Sequence, residues 1–272
     1  MYLSKKLESY PKILIIVFVF FCALIGLGIV LSLLINVLNP SIFYNVNRLH
    51  GDINLSHILV NTWLIYIYSI STQIIIVILV TIYFHSRKIS GFIKLLLVTP
   101  YAMGVIAPAF SMNVLFSSSL GPFNVDIYSS PFLIRYYLAF IDTWQWLGVL
   151  LLFCFLAIEK IPRNHYEQAR LEQISRVKRW WLITRPNIQG VIFIYTFIRF
   201  VDWIRKVDLV KAVYGEGGPG NLAETIGVYI VHMYYHEGGK GYAGMLSILQ
   251  VIILGCLLTL LIHFINKRKY TF

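Results

Sequence analysis

Five long runs that are almost free of charge dominate the hydrophobicity pattern of this chain. They cover residues 13–38, 58–84, 95–125, 136–158 and 241–266, and Asp142 is the single charged residue among them. A helix that crosses a bilayer needs about 20 predominantly apolar residues, and each run reaches that length. The pattern therefore predicts five membrane-spanning helices.

A sixth span is predicted over residues 190–210, although its second half is strongly charged. The charged residues there are Arg199, Asp202, Arg205, Lys206 and Asp208. The first run, 13–38, is too long for the apolar core of a signal peptide, and no small-residue cleavage site follows it. We therefore expect a span there rather than a cleaved leader.

Composition agrees with a membrane protein. The chain is 58% apolar and 13% charged, whereas about 25% of the residues in soluble domains are charged. These values exclude an ordinary soluble enzyme, a disordered chain and a small disulfide scaffold. In a soluble protein, the net charge of +11 would suggest a nucleic-acid partner. In a chain this apolar it indicates basic loops on one side of a membrane, so no nucleic acid is expected.

The distribution of basic residues predicts the topology. Six spans place both termini on one side, together with segments 85–94 and 159–189, and that side holds 16 of the 23 Lys and Arg residues. Because short cytoplasmic loops are enriched in Lys and Arg, we expect both termini to be cytoplasmic. Five spans would place the basic residues of 267–269 outside, against this bias. The predicted fold is an all-α polytopic membrane protein with six transmembrane helices.

No motif for bond-making chemistry occurs. The glycine-rich stretch at 215–221 lacks the Lys-Ser/Thr of a phosphate loop, which favours a tight turn. Two histidines, His232 and His236, have a spacing that would allow them to share a metal, but without further ligands surface histidines are favoured. The three cysteines lie within predicted spans and are interpreted as packing residues. We expect no catalytic residue and no metal site.

The longest predicted cytoplasmic segment, the 159–189 loop, has features of two short helices. Asn164 and Glu167 match a capping box, and Ser175 is placed to cap a second helix that ends at Arg185-Pro186. A helix, a break and a second helix suit docking into a groove of a partner protein. An amphipathic basic loop lying on anionic lipid is the alternative, and the spacing alone does not separate the two.

This loop resembles the EAA loop of the permeases of binding-protein-dependent ABC importers. The matching positions are Glu167, Gln168, Ala169, Arg170, Leu171, Glu172, Ser175, Arg176, Trp181, Ile183, Thr184 and Pro186. Other family features follow in order: Asn61-Thr62, Pro100, Asp142-x-Trp144-x-Trp146, Ile161-Pro162, Arg199, Asp208, Gly217-Gly218-Pro219-Gly220, Glu224-Thr225, Tyr229 and Gly241-Tyr242-Ala243. Over residues 55–265 the set resembles the maltose-transporter type of carbohydrate permease, specifically the subunit with a GGP signature.

The resemblance implies the type I ABC importer fold in a multi-pass protein of the cell membrane. Residues 1–54 would hold the N-terminal segment, the first span and an external loop, and residues 55–272 the permease domain. The implied partners are a second permease subunit, two ATPase subunits that bind ATP and Mg²⁺, and an external solute-binding protein. This chain would bind no cofactor. The implied cargo is a sugar, and glycerol phosphate or another polar solute is the alternative.

The resemblance also assigns residues to the contact with the ATPase. Glu167, Ala169, Arg170 and Glu172 would lie in it, and Gln168, Gln173, Ser175 and Pro186 belong to the same loop. Glu167 either caps its own helix or pairs with a basic residue of the ATPase. Gln173 replaces the family's glycine, so either Gln173 adopts a left-handed conformation or the helix continues. Gln168 and Arg185 are further departures from the pattern.

Charged and aromatic residues at membrane depth are candidates for a solute pathway or a subunit interface. The candidates are Arg199, Asp202, Trp203, Asp208, Trp144 and Trp146. The charged ones either neutralise one another along their helix or form a polar wall. Aromatic belts at the membrane surface would explain most of the aromatic residues. An ion-coupled secondary transporter is a less favoured class, and Asp142 would be its lone coupling site.

Overall fold

A computed structural model describes residues 48–49, 51–84, 89–116, 121–122, 130–236 and 239–269, and these residues contain helices and turns without a strand. The helices are α1 Ile53–Phe84, α2 Gly91–Ala102, α3 Ile106–Phe116, α4 Pro131–Glu159, α5 Arg163–Leu171, α6 Arg176–Arg179, α7 Arg185–Ile204, α8 Asp208–Tyr214, α9 Ile226–Tyr235 and α10 Lys240–Lys269. A π-helical turn covers Trp180–Thr184, and a 3-10 turn covers Pro219–Asn221. The predicted span 13–38 lies outside the described residues.

The chain divides into two compact units. One unit, residues 52–235, contains α1 to α9. The other comprises residues 1–51 and 236–272 and contains α10. Within this second unit the guanidinium of Arg48 lies 4.8 Å from the centre of the buried Tyr242 ring. The domain division predicted after residue 54 stays a prediction.

Three helices are long and apolar enough to cross a membrane among the described residues. They are α1, α4 and the Lys240–Leu257 part of α10, and they coincide with three of the predicted spans. Run 95–125 corresponds to the pair α2 and α3, which is bent by 87° and would add a fourth span. The predicted sixth span corresponds to α7, which ends at Ile204 and does not meet the same criteria. The count of six and the orientation of the termini stay predictions.

The bend between α2 and α3 has a local cause. Pro100 lies inside α2, and Gly104 in the connecting turn has a φ of +74°, a left-handed conformation that favours glycine. Gln145 of α4 donates from Nε2 to the Gly104 carbonyl oxygen at 2.6 Å and so fixes the turn against α4. At Gly148 an added Cβ would lie 1.7 Å from the Leu97 carbonyl oxygen. Glycine at that position therefore lets α2 approach α4 closely.

Helix α1 has the polarity of a membrane helix, with polar side chains inside and apolar ones outside. Its buried positions recur every three or four residues and include Asn61, Thr62, Ser69, Gln73 and Thr81. Large apolar side chains on the opposite face, Leu59, Trp63, Ile67, Ile75 and Leu79, are 40–62% exposed. A soluble helix has the reverse pattern. The buried face of α1 packs against α4 and α7, and these three helices build the centre of unit 52–235.

Candidate functional site

The first helix of the 159–189 loop, α5, begins earlier than the sequence suggested. Its N-cap is Pro162, which has no side-chain oxygen, and Asn164 accepts only from the neighbouring His165 N–H at 3.0 Å. The predicted capping box of Asn164 and Glu167 is therefore wrong, because Asn164 already lies in the first helical turn. Tyr166 and Ala169 are buried against the rest of the chain. The other predicted contact residues of this helix, Glu167, Gln168 and Arg170, are exposed, as is Glu172 directly after it.

Gln173 ends α5 in a left-handed conformation. Its φ is +57°, and the next amide, of Ile174, donates back to the Ala169 carbonyl oxygen at 3.0 Å. This is the turn that a glycine would form, so the side chain of Gln173 tolerates it and the helix does not continue. Ser175 then accepts from the Lys178 amide at 3.4 Å. The prediction that Ser175 caps the second helix is confirmed.

The second helix does not stop at Arg185-Pro186 as predicted. Residues 176–204 stay helical through the π-helical turn at Trp180–Thr184, in which the Arg185 amide donates to the Trp180 carbonyl oxygen. Pro186 lies in the first turn of α7, directly after the π-helical turn. The side chain of Asn187 donates to the Ile183 carbonyl oxygen at 2.7 Å. The loop therefore joins α7 without a break.

Two buried hydrogen bonds anchor the loop. Trp180 Nε1 donates to Thr81 Oγ1 of α1 at 3.0 Å, and the hydroxyls of Tyr166 and Thr184 are 3.0 Å apart. Burial raises the pKa of the Tyr166 hydroxyl. These bonds connect α5 to the start of α7 and connect the π-helical turn to the end of α1. A force applied to α5 therefore acts on two of the three central helices.

An ion cluster, defined as Asp142, Arg199, Asp202 and Lys206, lies between α1, α4 and α7. Arg199 pairs with both Asp142 and Asp202. Lys206 Nζ lies 2.6 Å from Asp142 Oδ1 and 3.1 Å from Asp202 Oδ2. Two cations and two anions make the cluster neutral, as expected for charges removed from water.

Aromatic and polar neighbours complete the cluster. Asp142 accepts from Ser69 Oγ at 2.5 Å and from Trp203 Nε1 at 3.2 Å. The ring of Trp146 lies under the Arg199 guanidinium, with its centre 4.1 Å from Cζ. Asp142 has no exposed surface, Arg199 and Trp203 have 1% each, and the Asp202 side chain is 22% exposed. Asp202 is thus the edge of the cluster that reaches the surface of the unit.

The ion cluster contains two of the charged residues that were singled out in the sequence, Arg199 and Asp202, and two that were not assigned to it. Arg199 and Asp202 pair along their helix, which was one of the two alternatives, whereas Arg205 and Asp208 are exposed and take no part in the ion cluster. The sequence interpretation missed that Asp142 and Lys206 join the same cluster. The signal was the lone acidic residue in an apolar run, which requires a cation at membrane depth. Trp144 is 37% exposed and lies outside the cluster.

The GGP loop, residues 215–225, is fixed against α1 and α4. Gly218 and Gly220 have φ values of +71° and +58°, which confirms the predicted tight turn. Asn61 Nδ2 donates to the Asn221 carbonyl oxygen at 3.0 Å. Arg135 donates from Nη2 to Asn61 Oδ1 at 2.8 Å and from Nε to the Leu222 carbonyl oxygen at 3.3 Å. The loop is therefore held by side chains of two central helices.

One carboxyl group in this loop is strongly desolvated. Burial, followed by the charges of Glu216 and Asp52, raises the pKa of Glu224 to about 7. The Glu224 side chain is 4% exposed, and His232 Nδ1 lies 3.6 Å from its Oε1. Glu224 therefore changes its charge near neutral pH.

Several proteins of known function have sequences similar to this chain. No family model matches the chain. The trehalose/maltose transport system permease protein MalF of Thermococcus litoralis is 24% identical over 173 residues, which cover 60% of this chain and 58% of MalF. The lactose transport system permease protein LacF of Rhizobium radiobacter is 24% identical over 240 residues, or 83% of this chain and 80% of LacF. The chain is similar to the permeases of sugar transport systems.

A solved structure has the same fold as this chain. A chain from a bacterial ABC transporter involved in the import of the acidic polysaccharide alginate superposes with a TM-score of 0.73 at 18% identity. The superposition covers 93% of this chain and 90% of that one. The expected ABC permease fold and the resemblance seen in the sequence are thus confirmed, and the chain is a membrane protein.

Proposed function

We propose that this chain is the permease subunit of an ATP-driven importer that moves a sugar, a di- or oligosaccharide, across the cell membrane. An external binding protein would deliver the sugar, and a second permease subunit would complete the pathway. Two separate ATPase subunits would bind ATP and Mg²⁺, so this chain is not an enzyme. The observation that carries the proposal is the 159–189 loop, a short exposed helix anchored to the spans by buried bonds.

The exposed side of this loop suits a protein partner. Leu171 at the end of α5 is 84% exposed, and Val177, Trp181 and Leu182 are 52–59% exposed. Exposed apolar side chains on a short loop are typical of a docking surface rather than of a passive connector.

The anchors suggest how ATPase closure reaches the spans. Movement of α5 acts through Tyr166 on Thr184 at the start of α7, and through Trp180 on Thr81 of α1. Helix α7 carries Arg199, so its displacement also changes the geometry of the ion cluster. Rigid helices joined by such contacts are the ordinary route for coupling between distant sites.

Among the predicted pathway residues, those with exposed surface are the better candidates. Asp208 and Trp144 have exposed side chains and Asp202 has a partly exposed one, whereas Arg199 and Trp203 are enclosed by this chain. We propose that Arg199 and Trp203 support the pathway wall from behind. The pairing of Asp142 with two cations argues against the secondary-transporter alternative, because a coupling carboxylate must be able to bind and release an ion.

Leu171 offers a clean test of the docking surface, because an 84% exposed side chain has little internal packing to lose. We expect Leu171→Ala and Glu167→Lys to leave membrane insertion intact and to weaken co-purification of the ATPase and sugar-stimulated ATP hydrolysis. Leu249→Ala, which changes an exposed leucine of α10, is the matched control. Full coupling in a variant that lacks residues 165–174 would refute the docking role.

A further inference from the structure

Lys206 contacts two regions that are distant from each other in the sequence, the GGP loop and α4. It lies in the three-residue break, residues 205–207, between α7 and α8. Its carbonyl oxygen accepts from Thr225 Oγ1 of the GGP loop at 2.9 Å, and its Nζ reaches Asp142 of α4 at 2.6 Å. A single residue thus contacts the loop with its backbone and the ion cluster with its side chain.

The contact on the loop side is tight. Thr225 is fully buried, and the following amide, of Ile226, donates to Thr62 Oγ1 of α1 at 3.0 Å. One residue further, a Cβ added at Gly227 would lie 3.1 Å from the carbonyl carbon of Arg205. Residues 225–227 therefore pack directly against residues 205–206, which connect α7 to α8. A displacement of this end of the GGP loop therefore displaces the backbone at 205–206.

The contact on the cluster side is sensitive to position. The Lys206 side chain is 5% exposed, and the cluster is neutral only when its ammonium group is counted. Asp142 has no exposed surface and depends on Arg199 and Lys206 for its neutralisation. Because charge interactions are strong where water is excluded, a shift of Nζ changes the energy of Asp142 and hence the packing of α4 against α7.

We propose that Lys206 is a positioning residue that couples the GGP loop to α4 through Asp142. The proposal rests on the proposed function and adds to it that docking of the binding protein moves the GGP loop. Lys206 then transmits that movement to the ion cluster, so that docking of the binding protein and rearrangement of α4 are linked through one side chain.

The functional test uses the complete transporter in proteoliposomes. The ratio of ATP hydrolysis with and without sugar-loaded binding protein is measured for wild type, Lys206→Met and Lys206→Arg. We expect Lys206→Met to lower this ratio by about two- to thirtyfold, the range for residues that carry coupling, and Lys206→Arg to retain most of it. Lys211→Met, an exposed lysine on the adjacent α8, is the matched control. An unchanged ratio in Lys206→Met overturns the proposal.

A second variant separates coupling from simple neutralisation. Lys206→Met with Asp142→Asn restores a neutral cluster of Arg199 and Asp202. We expect its melting temperature to rise above that of Lys206→Met while the stimulation ratio stays low. If the ratio recovers together with the melting temperature, Lys206 only balances a charge and the proposal fails.

Amide hydrogen exchange tests the link without any transport activity. Because coupling is reciprocal, Asp142→Asn should change the exchange rate at residues 224–227 in the wild-type background. In the Lys206→Met background, the same substitution should have no further effect there. Equal changes in both backgrounds overturn the proposal. A positive exchange result in a transporter that shows no sugar stimulation refutes the proposed function and leaves the Lys206 link standing.

Discussion

Replacing Thr81 by valine tests whether the 159–189 loop is anchored as described. Thr81 is fully buried, and its Oγ1 accepts from Trp180 Nε1 while donating to the Val77 carbonyl oxygen at 2.7 Å. Valine keeps the shape of the side chain and removes the acceptor. The indole N–H of the 4% exposed Trp180 is then left without a partner. A buried unpaired donor costs about 1–3 kcal/mol.

This cost is measurable as a change in melting temperature. For a chain of a few hundred residues, 1 kcal/mol corresponds to a shift of about 2–4 °C, so Thr81→Val should lower the melting temperature by roughly 2–12 °C. A thiol-reactive dye provides the assay, because Cys154 of α4 is buried in the folded protein and becomes reactive on unfolding. Exposed Cys256 supplies a constant early signal.

The control uses the second partner of the same bond. Trp180→Phe removes the donor, and Thr81 Oγ1 still has its contact with Val77, so no group is orphaned. In the Trp180→Phe background, Thr81→Val should therefore cost much less than in the wild type. If the loss caused by Thr81→Val is the same in both backgrounds, the hydrogen bond does not anchor the loop and the reasoning is wrong.

Three further predictions concern other parts of the unit. Because Gln173 has a φ of +57°, Gln173→Gly should be more stable than Gln173→Ala by about 1 kcal/mol, measured by thermal unfolding of the two variants. The raised pKa of Glu224, about 7 against an ordinary 4.5, means that ionisation opposes folding, and this penalty is absent below pH 4.5 and complete above pH 7. Glu224→Gln should therefore stabilise the protein at pH 8, by about 3 kcal/mol at most, and should have little effect at pH 5. A stability gain of equal size at the two pH values would contradict the burial of this carboxyl. Arg199→Met leaves Asp142 with only Lys206 and should destabilise the protein by about 3–5 kcal/mol, whereas Arg205→Met, at an exposed position, should change the melting temperature little.

The long helices were accessible from the sequence because their signal is local. An apolar run of more than 20 residues with at most one charge has few alternatives to a span, and α1, α4 and α10 lie where such runs predict them. The break after α5 and the cap at Ser175 were also local features. The conformation of Gln173 was reduced to two alternatives, and the structure selects the left-handed one.

What the sequence did not reveal depends on packing between distant segments. Asp142 and Lys206 are 64 positions apart, and the repeat of charges in the sequence led to Arg205 and Asp208 instead. The continuation through Pro186 was missed because a wide π-helical turn precedes it, and such turns have no clear sequence signature. The N-cap of α5 is Pro162 and not Asn164, and this difference of two residues was enough to remove the capping box.

ATP-driven uptake in proteoliposomes tests the central claim most directly. The chain is reconstituted with its partner permease and ATPase, the binding protein is added outside, and radiolabelled sugar inside the vesicles is counted. The account predicts uptake that requires ATP, the binding protein and an intact 159–189 loop. Uptake by this chain alone, driven by an ion gradient and unaffected by deletion of residues 165–174, would contradict it.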